Sequence, residues 1–147
     1  MVIRECLLED CASISLLNKN EMCYDYPAED VKKQLKKLLK EKQHKIYVAL
    51  ADSKIVGYVH ANDYDLLYAP HFKNIMGIAV ASGYRKNGIG TMLLLKIEQW
   101  AKDTNACGVR LVSGSARADA HAFYRACGYS SCKDQKNFKK VFDTSAK

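Results

Sequence analysis

Ile75-Met76-Gly77-Ile78-Ala79-Val80, Ala81-Ser82-Gly83-Tyr84, Arg85-Lys86-Asn87-Gly88-Ile89-Gly90, Thr91-Met92-Leu93-Leu94-Leu95 is the stretch whose reading decides the fold. Its first six residues are apolar and β-branched enough for a strand, and Ser82-Gly83 ends it. After Gly90 the apolar residues Met92, Leu95, Ile97 and Trp100 recur at helical spacing, which predicts a helix opening in or just after the basic turn. A strand feeding a glycine turn and a helix N-terminus suits an anion. The first helical N–H groups lack backbone partners, and the aligned peptide dipoles place positive charge there. Gly88 and Gly90 let the backbone approach a diphosphate closely, and Arg85 and Lys86 add full charges. Two familiar diphosphate loops are excluded. Gly83 and Gly88 have the separation of a nucleoside-triphosphate loop, but Ile89-Gly90 follows instead of Lys and Ser or Thr; the dinucleotide fingerprint needs a third glycine where Leu93 stands.

Working outward, the 147 residues suffice for one domain with a sizeable core, and we expect a single domain over 1–147. No apolar run of about 18 residues predicts a membrane span. Met1-Val2-Ile3-Arg4-Glu5 shows no signal-type apolar core, which points to the cytoplasm. Cys6, Cys11, Cys23, Cys107, Cys127 and Cys132 are scattered without a Cys-x-x-Cys pair, so reduced thiols and no metal are expected. The net charge of +7 suits an anionic partner. Much of the excess lies in Lys32, Lys33, Lys36, Lys37, Lys40, Lys42 and Lys45, between Val31, Leu35, Leu38 and Leu39. That spacing describes a surface helix with a solvated basic face; no aromatic interleaving accompanies it, and no nucleic-acid partner is expected.

In chain order we expect a strand at Val2–Cys6, a helix from Glu9-Asp10 to about Asn20, and a loop over 21–27. A helix from Pro27 to Lys42 follows, then strands Lys45–Ala51 and Ile55–Ala61 joined at Asp52-Ser53-Lys54. Asn62 to Pro70 reads as less regular. After the central helix, to about Asn105, come a strand Cys107–Val112 and a helix from Ala118 to about Cys127, stopped by Gly128. Tyr129–Cys132 and Phe138–Phe142 read as a final hairpin, and Thr144–Lys147 as a frayed tail. Hairpins first and helical crossovers later require a mixed α/β protein whose sheet, of about six to seven strands flanked by about four helices, is not all parallel.

Two motifs carry a resemblance. Arg85-x-x-Gly88-x-Gly90 after a strand resembles the coenzyme A-binding motif of the GNAT superfamily of N-acetyltransferases. Ala120-x-x-Phe123-Tyr124-x-x-x-Gly128-Tyr129 resembles that family's second motif. The element order matches the GNAT fold along essentially the whole chain. The resemblance implies acetyl transfer from acetyl-CoA to a primary amine by direct attack in a ternary complex. It implies Tyr124 as general acid toward the departing thiolate, or a tyrosine that only positions the coenzyme. It assigns the acetyl and pantetheine portions to Ile78, Ala79 and Val80, with backbone as the oxyanion donor, and the diphosphate to Arg85, Lys86, Asn87, Gly88, Ile89, Gly90 and Thr91. Phe123 and Arg117 join the cofactor-binding set, although Arg117 stands where many members carry a pantetheine-contacting Asn. The usual strand glutamate is missing at Asn74, Met76 and Ile78; a base would come from Asp63, Asp65, His71 or Glu21, or the proton leaves through water.

The family places its acceptor-binding loop at 21–27. Glu21, Tyr24 and Tyr26, with Asp25, Asp63 and Asp65, would make an acidic, aromatic pocket for a small cationic amine; the same side chains equally serve to cover a sheet edge. Peptide or protein amines, and a non-catalytic acetyl-CoA-binding regulatory module, are the alternatives. Family members often dimerise, so a homodimer is a further expectation. His44, His60 and His121 read as surface or satisfied histidines. Cys127 falls on the coenzyme-proximal helix, but no base partner suggests a covalent route.

Overall fold

The strand-forming runs join into one five-stranded sheet, in spatial order β1-β2-β3-β4-β5, in a computed structural model that describes residues 1–131 and 133–143. Its strands are β1 (Val2–Glu5), β2 (His44–Ala51), β3 (Lys54–Leu66), β4 (Ala69–Val80) and β5 (Val109–Leu111). The helices are α1 (Cys11–Met22), α2 (Ala28–Leu38), α3 (Ile89–Asp103) and α4 (Ala118–Ala126). The mixed α/β class is as expected. The chain forms two compact units, Met1–Val112, which holds the whole sheet, and Ser113–Lys147, which holds α4.

Three sequence expectations need correction. Asn62 to Pro70 is not irregular: β3 runs on to Leu66 and β4 starts at Ala69, a hairpin turning through Leu67-Tyr68. Cross-strand pairing with Asn74 and Lys73 overrides the poor strand propensity of Asn62 and Asp63. The sheet has five strands among the described residues, not six to seven. The expected final hairpin is absent over 129–131 and 133–143, whereas Cys132 and the 144–147 tail lie outside the described residues.

In the first unit β1 through β4 pair antiparallel, and β5 joins β4 in parallel. The β2–β3 turn falls where expected but takes two residues, Asp52 and Ser53, because Lys54 already pairs with Ala51. Asp52 and Ser53 both have positive φ, 51° and 64°, the mirror-image turn whose twist suits a hairpin. One face of the sheet carries α1 and α2 over Cys6, Ile46, Val48, Tyr58 and Ala79, with Ile14, Leu17, Val31 and Leu35 from the helices. The lysines of α2 lie on its exposed side. The opposite face carries α3, whose Leu93, Leu94, Ile97 and Trp100 are buried along with Val59, Ala61 and Ile75 of the strands. Gly57 lets α3 come close: a Cβ there would meet the Ala79 carbonyl at 3.1 Å and Leu93 at 3.4 Å.

Cys6, Cys11, Cys23 and Cys107 are free thiols. Burial pushes the Cys6 thiol up to about 12, leaving it unreactive. No helix among the described residues is long and apolar enough to cross a membrane.

The start of α1 is locked to β1 by a partly buried ion pair. Arg4 donates to both Asp10 carboxylate oxygens, at 2.8 and 3.0 Å, and the Leu7 N–H adds a third bond at 2.8 Å. Burial raises the Asp10 carboxyl, but the Arg4 and Leu7 hydrogen bonds outweigh it and hold it below the usual carboxylate range. Asp10→Asn should therefore cost about 2 kcal/mol in urea unfolding at neutral pH. Because the folded group binds its proton less readily than the unfolded one, this stabilisation is present above a pH of about 4 and is lost as pH falls through the folded value. The gap between wild type and variant should close on acidification.

Candidate active site

β4 holds the backbone geometry on which the site depends. Its register against β3 runs Val80 with Gly57, Ala79 with Tyr58, Ile78 with Val59 and Gly77 with His60, then jumps to Ile75 with Ala61. Met76 is the extra residue of a β-bulge. On the N-terminal side of the bulge, Lys73 donates its N–H to the Gly108 carbonyl and the His71 carbonyl accepts from the Cys107 N–H, so these odd-numbered residues face β5. Beyond it, the Ala81 N–H bonds the Val56 carbonyl across on β3. Antiparallel alternation then turns the backbone groups of Ile78 and Val80 away from β3. β5 pairs with β4 only at Lys73–Ile75, so among the described residues no strand covers Ile78 to Val80 on that edge. The Val80 carbonyl accepts from Arg85 Nε at 3.3 Å, as that orientation requires.

The loop after β4 makes a short 3-10 turn at Ser82–Tyr84 and then passes through positive φ at Lys86 (65°) and Gly88 (79°). Gly88 is the N-cap of α3 and has no side-chain cap, and the first intrahelical bond runs from the Met92 N–H to the Gly88 carbonyl. The N–H groups of Ile89 and Gly90 precede that bond and point out of the helix. Nothing lies within 4 Å of where a Gly88 Cβ would stand. The open edge and this N-terminus together form a donor set suited to a pantetheine arm and a diphosphate, so the residues present fit coenzyme A.

Glu21 and Arg85, expected at the acceptor and the coenzyme respectively, meet each other. Arg85 donates to Glu21 at 2.7 Å, and the Ser82 N–H donates to the same carboxylate at 3.2 Å. Glu21 is only 10% exposed, so the end of α1 braces the loop. Tyr24 and Tyr26 stand in the α1–α2 connection, 63% and 42% exposed. Tyr58 of β3 donates its hydroxyl to Asn18 of α1, and burial pushes its phenol up to about 12. His60, opposite Gly77, has Nε2 2.9 Å from His44 Nδ1; burial, reinforced by His44, lowers it to about 4 and keeps it neutral near pH 7.

Asp63 does not join these residues. It pairs in register with Lys73, which is 2% exposed, bonds Asp63 and His71, and lies 4.0 Å over the Trp100 ring of α3. This is the α3 face of the sheet, six strand positions from Gly57, or about 20 Å. Asp65 and His71 are tied in the same chain at 2.7 Å. Glu21 and Asp63 are thus held in ion pairs, and Asp65 and His71 are hydrogen-bonded to each other, so the acidic acceptor pocket expected from the sequence does not assemble.

In the second unit, Arg117 is the exposed N-cap of α4. Nε2–H of His121 donates to the Gly114 carbonyl at 2.8 Å, giving this histidine the satisfied role expected. Tyr124 packs its ring 5.3 Å from Phe123 and 6.4 Å from Tyr129, and the Tyr129 N–H closes on the Tyr124 carbonyl beyond Gly128, whose φ is 94°. Burial raises the Tyr124 phenol, with Arg117 opposing. The hydroxyl stays protonated and able to donate at neutral pH.

The acetyltransferase (GNAT) family profile matches residues 9–129, and the chain belongs to that family. Streptothricin acetyltransferase A of Bacillus subtilis (strain 168) is 46% identical over 50 residues, a segment making up 34% of this chain and 29% of that protein. The match therefore spans less than a third of that curated relative. An aminoglycoside 6′-N-acetyltransferase from Acinetobacter haemolyticus has the same fold, with a TM-score of 0.83 at 20% identity over 97% of this chain and 100% of the other. So does a transcriptional regulator from Bacillus halodurans C-125, with a TM-score of 0.82 at 22% identity over 96% and 99%. A coenzyme A complex of aminoglycoside N-acetyltransferase AAC(6′)-Iy gives 0.85 at 15% identity over 95% and 93%.

Space around Gly88 is open but its φ is 79°, so Gly88→Arg should cost about 1 kcal/mol in urea unfolding, keep the wild-type circular dichroism, and fill the approach to the α3 N-terminus. Calorimetry should detect no coenzyme A binding at concentrations that saturate the wild type.

Proposed function

We propose that this chain is a cytoplasmic acetyl-CoA-dependent N-acetyltransferase acting on a primary amine of a small molecule. The observation that carries the reading is the β4 bulge, which leaves Ile78 and Val80 backbone groups on an open edge that runs into the uncapped N-terminus of α3. Acetyl-CoA supplies a thioester carbonyl that gains negative charge under attack. The Ile78–Val80 edge supports backbone stabilisation of that charge, and the loop from Lys86 to Thr91 receives the diphosphate.

The amine nitrogen forms the new C–N bond as the C–S bond breaks. The Tyr124 phenol gives its proton to the leaving thiolate. With Glu21 and Asp63 in ion pairs and Asp65 and His71 engaged with each other, the amine proton leaves to water. Acceptor recognition falls to Tyr24 and Tyr26 in the exposed α1–α2 connection and to the part of the sheet flanking the bulge. A cationic acceptor remains compatible with the two tyrosines, but Glu21 and Asp63 do not provide its counter-charges.

The test is incubation with acetyl-CoA and a panel of amines, with products read by mass spectrometry. Acetylated product from one amine class is expected; silence across the panel with coenzyme A still bound would instead favour a regulatory module. Tyr124→Phe should lower kcat by about 10²-fold or more, the scale of a lost general acid, while leaving coenzyme affinity near wild type. Unchanged turnover with chemistry rate-limiting would remove the acid role.

A further inference from the structure

Four lysine or arginine side chains of the Met1–Val112 unit are at least partly buried: Arg4, Lys45, Lys73 and Arg110. The first three each have a carboxylate partner, Asp10, Glu5 and Asp63 respectively. Among the described residues Arg110 has none. It lies on β5, in register with Asn74 of β4, and donates Nη1 to Asn74 Oδ1 at 2.6 Å. Its guanidinium stacks over the Tyr64 ring at 4.1 Å. Asn74 in turn donates to Asn62 Oδ1 at 3.3 Å and contacts Met76 Sδ at 3.2 Å, at the bulge. Asn62 and Asn74 are a cross-strand pair, so this cluster occupies the sheet face opposite α3.

A guanidinium held flat by a ring on one side and an amide at one corner is oriented before any ligand arrives. Guanidinium carries five N–H donors, and only one is taken by Asn74. The Asn62 amide, with its oxygen engaged by Asn74, adds donors on the same face. Such a cluster offers donors and positive charge and no free carboxylate, which selects a planar, acceptor-only anion.

We infer that Arg110, with Asn62, anchors a carboxylate of the acceptor, so that the acceptor is a zwitterion carrying an amine at one end and a carboxylate at the other. This rests on the acetyltransferase reading above and narrows its substrate. Asn74 lies four positions before Ile78 on β4, which with the bulge puts the anchor roughly 10 to 13 Å from the open edge along the strand. An ω-amine on a chain of several carbons spans that distance once the reach of Arg110 is subtracted; the α-amine of a free amino acid does not. The charge also runs against polycations, which would meet Arg110 instead of a carboxylate.

The experiment compares acetylation of β-alanine, 4-aminobutyrate, 6-aminohexanoate and glycylglycine with that of their carboxamides, in wild type, Arg110→Gln and Arg110→Lys. At least one acid should exceed its amide in kcat/KM by about 10-fold or more, the scale of hydrogen bonds to a charged group. The acid-to-amide ratio should fall toward one in Arg110→Gln and be intermediate in Arg110→Lys, which keeps charge without the fork. Amides acetylated as well as acids by the wild type would overturn the inference and leave the acetyltransferase reading standing. If neither series gives product, calorimetry of the acids against coenzyme A-saturated protein decides. Acid binding that is lost in Arg110→Gln retains the carboxylate site and removes the transfer reading; no binding in the wild type overturns the site.

Discussion

One extra residue in β4 fixes most of what the first unit offers chemically. Without Met76 as a bulge, antiparallel alternation would keep the odd-numbered backbone groups on the β5 side along the whole strand, and Ile78 and Val80 would spend their hydrogen bonds on β3. With it, Lys73 and Ile75 serve the parallel pairing to β5 while Ile78 and Val80 face an edge that no strand among the described residues occupies. Unpaired N–H and C=O groups on a sheet edge are a cost that a protein ordinarily covers. Here the short β5 leaves them without a partner strand next to a helix N-terminus, and the Val80 carbonyl takes Arg85 Nε instead.

The same bulge sorts the side chains. On the α3 side, Gly57, Val59, Ala61 and Asp63 lie in register with Val80, Ile78, Ile75 and Lys73, an apolar run closed at the far end by a buried ion pair under Trp100. On the other side, Tyr58, His60, Asn62 and Tyr64 face Ala79, Gly77, Asn74 and Phe72, and beyond the cover of α1 this face turns polar. The polar part of that face carries Arg110, bonded through Asn74 to Asn62.

Much of this was legible in the sequence, and the failures have physical reasons. The strand, glycine turn and helix start around Gly88 could be read because their requirements are local. The element order up to α4 followed from periodicity for the same reason. The one mark the bulge left is Gly77, an isolated glycine inside the strand run, and it went unread because the extra position exists only relative to β3. Missing it, and ending β3 at Ala61 because Asn62 and Asp63 are poor strand formers, hid the parity that sends Asp63 toward α3 and Asn62 toward the opposite face. A half-buried arginine on a three-residue strand likewise looks ordinary until its lack of a carboxylate is seen against Arg4, Lys45 and Lys73.

The Glu21–Arg85 pair changes how the loop's positive charge should be counted. Arg85 appears in the motif as a charge for the diphosphate, yet in the structure it is neutralised by a carboxylate that also holds the Ser82 N–H. What remains for an anion is the exposed Lys86 and the backbone N–H groups at the start of α3. Backbone donors are fixed by the fold and lose little entropy on binding, whereas a long basic side chain must be ordered. The pairing gives Arg85 a bracing role in the loop. A loop with left-handed Lys86 and Gly88 is held in its receiving shape by the end of α1. The helix that leads into the exposed Tyr24–Tyr26 connection is therefore also the one that steadies the β4–α3 loop, through a single carboxylate.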